Sequence, residues 1–522
     1  MTVPLSQPLV RPSRPGLLLV GLLCCGLAAA SVFLWLAVES PVLDADRWLF
    51  LVLETAVIVS FLIPVALRIR RGRFDPFEPP ILFGVFYFLT FGINGLWLVL
   101  PNVTLRNMLL LGDFYYLNKS LVLYLLGWLL LWAGYRSRFA RAIVGKWQFL
   151  SRPVPHVPQQ SLVRWGLIFY AVGIVVRLML IRLGLYGALK AQNWDVYDQY
   201  VAYLQIFKYL EGFAAYGIIL LMLALLMQRK RALGVALLIV VAIELTFAFI
   251  SSYRTPIVQL FLLVTVILFY YARQGIPWRW FIVGAFVLVL ADPFLSAYRL
   301  DLVEGNVSAQ AGANPLQGLG DVLTRVSSGS SVAEVGNSGL QGLSTRASYL
   351  VDMGMGVWYR DHYGPLEDPL SFLLRAPSVF IPRLLWSAKP VGNLGYLFYV
   401  IVEGGDTTTS GGPMLPGWLY LEWGIIGLGL YFFCFGIMQY VFYAMYKQTS
   451  DVSRLLFVPT LVWILSHYDM QEPLGWLQPL VYQLLILAVV RRFLFRPARE
   501  AQPATAISRV PQPVGLAARN HV

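Results

Sequence analysis

The sequence reads as an all-α, polytopic integral membrane protein with about twelve transmembrane helices and one large extracytoplasmic loop. Three observations predict this. Of the 522 residues, 58% are hydrophobic and 13% charged, whereas a soluble domain sits near 45–50% apolar and about 25% charged. Apolar runs of bilayer-spanning length, roughly 20 residues, recur along the chain. The Lys and Arg residues between them fall in alternate loops, as cytoplasmic enrichment requires.

The first run, 16–38, continues from "GLAAAS" through "VFLWLAV". It is too long for the core of a signal peptide and counts as a span. Runs at 48–67, 79–100, 120–135, 163–185, 207–228, 232–250, 255–272 and 280–298 complete nine spans within residues 1–298. Residues 299–415 form the large periplasmic loop, with short amphipathic or re-entrant helices. Residues 416–494 hold three further spans, 416–446, 454–467 and 475–494, and 495–522 read as a disordered tail.

With Arg11 and Arg14 in the cytoplasm, the loops on that side carry four cationic groups. These are Arg68, Arg70, Arg71 and Arg73; Arg136, Arg138, Arg141, Lys146 and Arg152; Arg229 to Arg231; and Arg273 and Arg279. Lys447 and Arg491, Arg492, Arg496 and Arg499 of the tail follow on the same side. The opposite short loops are acidic or mixed: Glu39, Asp44 and Asp46; Arg106 and Asp113; Lys190, Asp195 and Asp198; Asp469 and Glu472. The net charge of +13 is therefore topological. It implies membrane lipid, and no nucleic acid, as a partner. Cys24, Cys25 and Cys434 all sit in apolar runs, and the four histidines are scattered. Neither a disulfide framework nor a metal site is encoded, and no cofactor is expected.

Ionisable residues inside spans need a reason. Arg177 and Glu211, Arg182 and Glu54 read as intramembrane ion pairs and helix ends. Arg254 and Arg299 lie at span mouths on the outer side, where a cationic cavity suits an anionic ligand. The loop adds Arg346, Arg360, Arg375, Arg383 and Lys389, interleaved with Tyr349, Trp358, Tyr359, Tyr363 and Trp386. Within it, "FLLRAPSVFIPRLLW" is too apolar for a free loop and too Pro-broken for a span. It is expected to lie on the membrane or re-enter the bundle. Guanidinium groups suit diphosphate and aromatic rings suit sugars, so the pair points to lipid-linked saccharides.

At "IPRLLWSAKPVGNLG", followed by "TTTSGGPMLPGWLYLEWGIIGLGL", the chain resembles the bacterial oligosaccharide repeat-unit polymerases, the Wzy-type O-antigen and exopolysaccharide polymerases. The resemblance is strongest over about 250–430. It covers the large late loop, "IPR…W..KP" within it, and a helix opening with Tyr420, Trp423, Gly424 and Gly427. Relatives often carry a Glu two residues before that Tyr, where this chain has Trp418; Glu422 is the nearest acid. The resemblance implies a GT-C-like architecture in a bacterial inner membrane with both termini cytoplasmic. It implies that a hydroxyl of one undecaprenyl-diphosphate-linked oligosaccharide attacks the anomeric carbon of another, and that diphosphate leaves. Fixed cations would stabilise that leaving group. The catalytic set would be Arg254, Arg299, Arg383 and Glu422; Arg346, Arg360, Arg375, Lys389, Trp386 and Tyr420 would bind substrate. A chain-length regulator and a flippase are implied as pathway partners.

Three other readings use the same residues. Oligosaccharide ligases share the architecture. Asp44 and Asp46 of "DADRW" imitate the acidic first loop of metal-dependent polyprenyl-phosphate glycosyltransferases. Intramembrane charges also suit a transporter or flippase for lipid-linked sugars, though no internal repeat is visible.

Overall fold

The computed structural model describes residues 45–71, 74–93, 114–146, 159–187, 194–251, 255–271, 348–366, 412–448 and 477–494, with a few single positions between them. All regular structure among the described residues is helical: α1 (Ala45–Arg70), α2 (Pro79–Tyr87, running into a π-helical turn Phe88–Ile93), α3 (Tyr115–Arg136), α4 (Arg138–Lys146), α5 (Gln159–Arg182), α6 (Trp194–Gln228), α7 (Arg231–Ser251), α8 (Thr255–Tyr271), α9 (Ser348–Tyr363), α10 (Leu415–Gln448) and α11 (Leu477–Leu494). Six of them, α1, α3, α5, α6, α7 and α10, are long and apolar enough to cross a membrane. The chain is a helical membrane protein. The expected spans 255–272 and 475–494 coincide with α8 and α11, and 79–100 begins as α2. Spans 16–38, 280–298 and 454–467 and the tail lie outside the described residues, Leu295 apart.

Lipid tails are as apolar as leucine, so helices in a membrane associate through close packing at small residues. Two helix pairs do so here. In α3–α10, Gly134 lies against the backbone of Phe433, Gly436 against the carbonyl of Leu131, and Gly127 against the Phe432 ring. In α5–α6, Gly173 meets Ala214, and Gly217 meets the backbone of Tyr170. Gly134→Leu is expected to separate α3 from α10, because a backbone carbonyl cannot move aside as a side chain can. Overpacking of this kind costs about 1–3 kcal/mol or more. Thermal unfolding in detergent checks it; an unchanged midpoint would mean the contact carries no weight.

Polar groups tie the two ends of the bundle. At one end Arg68 grips both carboxylate oxygens of Glu78, with Nε 2.5 Å from Oε2. The Tyr135 hydroxyl donates to Glu78 at 2.7 Å, and Tyr443 donates to Asp75 at 2.5 Å. Lys447 stands 3.6 Å from Asp75. Arg68, expected only to mark a cytoplasmic loop, is thus also a structural clamp. At the other end, Asn118 Nδ2 donates to the carbonyl of Asp46 at 2.9 Å. Hence α1, α3 and α10 run in one direction and α2 in the other. Those are the relative directions of the second, fourth, tenth and third spans of a strictly alternating chain.

The 299–415 segment contributes α9, which is no surface helix along most of its length. Leu350, Val351, Met353, Met355 and Val357 are all buried. Gly356 packs on Pro413, and Gly417 of α10 sits against Pro413 and Met353. This docking places the C-terminal turn of α9 over the first turns of α3 and α10.

Candidate functional site

The centre of the site is a break in α10. Gly424 has φ 68° and ψ −162°, a conformation that a side chain makes costly. The element is therefore two helices, Leu415–Trp423 and residues 425–448. The interruption strips the last carbonyls of the first helix of their usual N–H partners. Arg360 of α9 supplies a replacement: its Nη1 donates to the carbonyls of Leu421 at 2.6 Å and Glu422 at 2.9 Å. The second helix starts at the same point, and its N-terminal end carries the positive pole of the helix dipole. Just beyond the break, Ile425, Ile426 and Leu430 are 55, 81 and 65% exposed. They give this end of the helix an apolar outward face.

Next to Arg360, Asp361 joins all three helices. Its Oδ2 is 2.5 Å from Lys119 Nζ of α3, and its Oδ1 accepts from the Tyr420 hydroxyl of α10 at 2.8 Å. The Lys119 ammonium also lies 5.0 Å from the centre of the Tyr420 ring, within cation–π range. The Lys119 and Asp361 side chains keep 29 and 25% of their surface in contact with solvent, so the pair is reachable. Around them stand rings: Trp358 and His362 at 5.1 Å, Tyr359 and Tyr363 at 5.1 Å, Tyr116 and His362 at 6.1 Å. The arrangement offers two cations and a helix N-terminus for an anion, one reachable carboxylate, and aromatic faces on which a sugar ring stacks.

Of the residues the sequence singled out, Arg360, Tyr420 and Glu422 meet here. Arg360 differs from expectation in its partners: the bonds seen go to backbone carbonyls at the helix break. Glu422, expected to be catalytic, is only 1% exposed, and the reachable carboxylate of the cluster is Asp361. Trp386 is 36% exposed, beside Leu385 at 78%. Arg254, Arg299, Arg346, Arg375, Arg383 and Lys389 lie outside the described residues. Trp418, at the position where relatives often carry Glu, is fully buried against Phe398 at 5.6 Å.

Sequence reasoning passed over Lys119 as a site residue. Its signal was present, a lone cation in "YYLNKSLVLY" at the mouth of a span opposite the basic loops. The intramembrane pairing expected of Arg177 and Glu211 is present at 3.1 Å, and Glu244 joins it at 2.6 Å. Asp46 lies in the first turn of α1, and its backbone carbonyl holds Asn118.

Comparison with protein-family models, with curated proteins and with solved structures finds no match to this chain.

Proposed function

We propose that this protein is a membrane glycosyltransferase that polymerises undecaprenyl-diphosphate-linked oligosaccharide repeat units into O-antigen or exopolysaccharide. It acts on the periplasmic face of a bacterial inner membrane, through a twelve-span architecture with both termini cytoplasmic and the 299–415 loop outside. The observation that carries the reading is the break at Gly424. It falls within the stretch that resembles the polymerases, and it brings a guanidinium and a helix N-terminus to one point beside a lipid-facing apolar surface.

A polyprenyl tail would lie along Ile425, Ile426 and Leu430 in lipid, which brings its diphosphate to the break. Half-helix N-termini in membranes serve anionic groups in this manner. The acceptor hydroxyl attacks the anomeric carbon, the bond to the diphosphate oxygen breaks, and the diphosphate departs with the electron pair. Lys119 and the helix end stabilise that charge. Asp361, held by Tyr420 and Lys119, orients the acceptor hydroxyl and accepts its proton. The glycosyl–diphosphate bond supplies the energy, so no nucleotide is needed. The sequence reading adds Arg254, Arg299, Arg383 and Lys389 as further cations for the diphosphate.

The test is replacement of Arg254 and Arg299. Arg254→Ala and Arg299→Ala are expected to abolish polymer while protein still accumulates in the membrane. The Lys variants are also expected to be impaired, because a point charge does not reproduce a bidentate fork. Normal polymer in both Ala strains would make these residues mere helix ends.

A further inference from the structure

We infer that Glu54 is a proton-binding site inside the membrane, formed with Tyr124 and holding its proton at neutral pH. The inference stands independently of the polymerase reading. Glu54 lies nine residues into α1 and is fully buried, and among the described residues neither of its carboxylate oxygens has a hydrogen-bond partner. Tyr124 of α3, within electrostatic reach, has a buried hydroxyl that also lacks a partner among the described residues. Two buried polar groups within electrostatic reach of each other and left unsatisfied call for an explanation.

The surroundings select the ligand. The Tyr124 ring is stacked with Tyr87 at 5.3 Å and lies 5.2 Å from Phe91. Gly95 presses so closely on the carboxylate that a Cβ there would strike it. The turn two residues before Gly95, Phe88–Ile93, is π-helical, a rare turn concentrated at functional positions. Among the described residues, the titratable group that interacts with Glu54 is Tyr124 from α3, and Tyr87 from α2 stacks on Tyr124. The nearest cation on α1, Arg47, is seven residues away with its guanidinium 5.4 Å from the Phe114 ring. No ion pair to Glu54 exists among the described residues. A metal ion would need several oxygen ligands, whereas a proton needs one. An unpaired carboxylate among rings is strongly disfavoured, so the acid form is the one this pocket fits. The paired Glu211 and Glu244 beside Arg177 provide an internal contrast.

Infrared spectroscopy of the full-length protein in bilayers, at neutral pH, reads this directly. The wild type is expected to show the carbonyl stretch of a protonated carboxyl. Glu54→Gln, an uncharged near-isostere, is expected to lose that band while keeping the wild-type melting temperature. Glu54→Asp, which keeps a carboxyl, shifts the band and serves if the Gln variant fails to fold. Exchange of choline chloride for sodium chloride is expected to leave the band unchanged. A wild-type spectrum without the band, or a band abolished by sodium, overturns the proposal.

Discussion

Arg360→Ala is expected to reduce polymer formation about a hundredfold and to lower the thermal midpoint. One nitrogen serves both the Leu421 and Glu422 carbonyls, and each charge-assisted bond to a buried group is worth about 1.5–3 kcal/mol. Losing roughly 3 kcal/mol at the geometry that aligns the two half-helices corresponds to about two orders of magnitude in rate. Arg360→Lys separates two roles for this side chain. Because a single nitrogen makes both contacts, an ammonium with three donors can satisfy the same carbonyls, so Lys restores most activity and stability. A Lys variant that is stable yet as inactive as Ala would mean that the guanidinium fork also grips the ligand, so that capping alone does not account for the loss.

The second large effect is expected at the Lys119–Asp361 pair. Lys119→Ala removes a reachable cation from the departing diphosphate and is expected to lower kcat/KM for the lipid-linked substrate about tenfold or more, as loss of one charge-assisted contact implies. Asp361→Asn keeps an acceptor for the Tyr420 hydroxyl but removes the charge, and is expected to lower kcat with KM little changed. Tyr420→Phe costs about 0.5–1.5 kcal/mol, a few-fold in kcat. Purified variants assayed over a range of substrate concentration resolve the two parameters. Parental kinetics in both Lys119→Ala and Asp361→Asn would remove this cluster from the reaction.

Six of the expected spans were legible because a bilayer leaves a chain little choice: an apolar run of sufficient length must satisfy its backbone internally, and a helix does so. α9 was not legible. Its sequence "SYLVDMGMGVWYRDHY" holds Gly354 and Gly356, which weaken helix propensity, and Asp352 interrupts the apolar pattern. Its burial depends on Pro413 and Gly417, more than fifty residues away. The aromatic–glycine pair at Trp423–Gly424 was visible as a motif, but a glycine in a span also reads as an ordinary small packing residue. Only the positive φ marks it as a break. The Lys119–Asp361 contact joins positions 242 residues apart, and no local pattern encodes such a pairing. Arg68, by contrast, reads in the sequence only as one of several loop cations, and nothing there announces the clamp that it forms with Glu78.

The central claim is tested most directly by reconstitution. Purified protein in liposomes is supplied with one undecaprenyl-diphosphate-linked oligosaccharide, with a chelator present and no nucleotide, and the products are resolved by size. The account predicts a ladder of lipid-linked multiples of the repeat unit, together with stoichiometric release of undecaprenyl diphosphate. Substrate that stays a single repeat unit, whether moved across the bilayer intact or passed whole to a different acceptor, would contradict it.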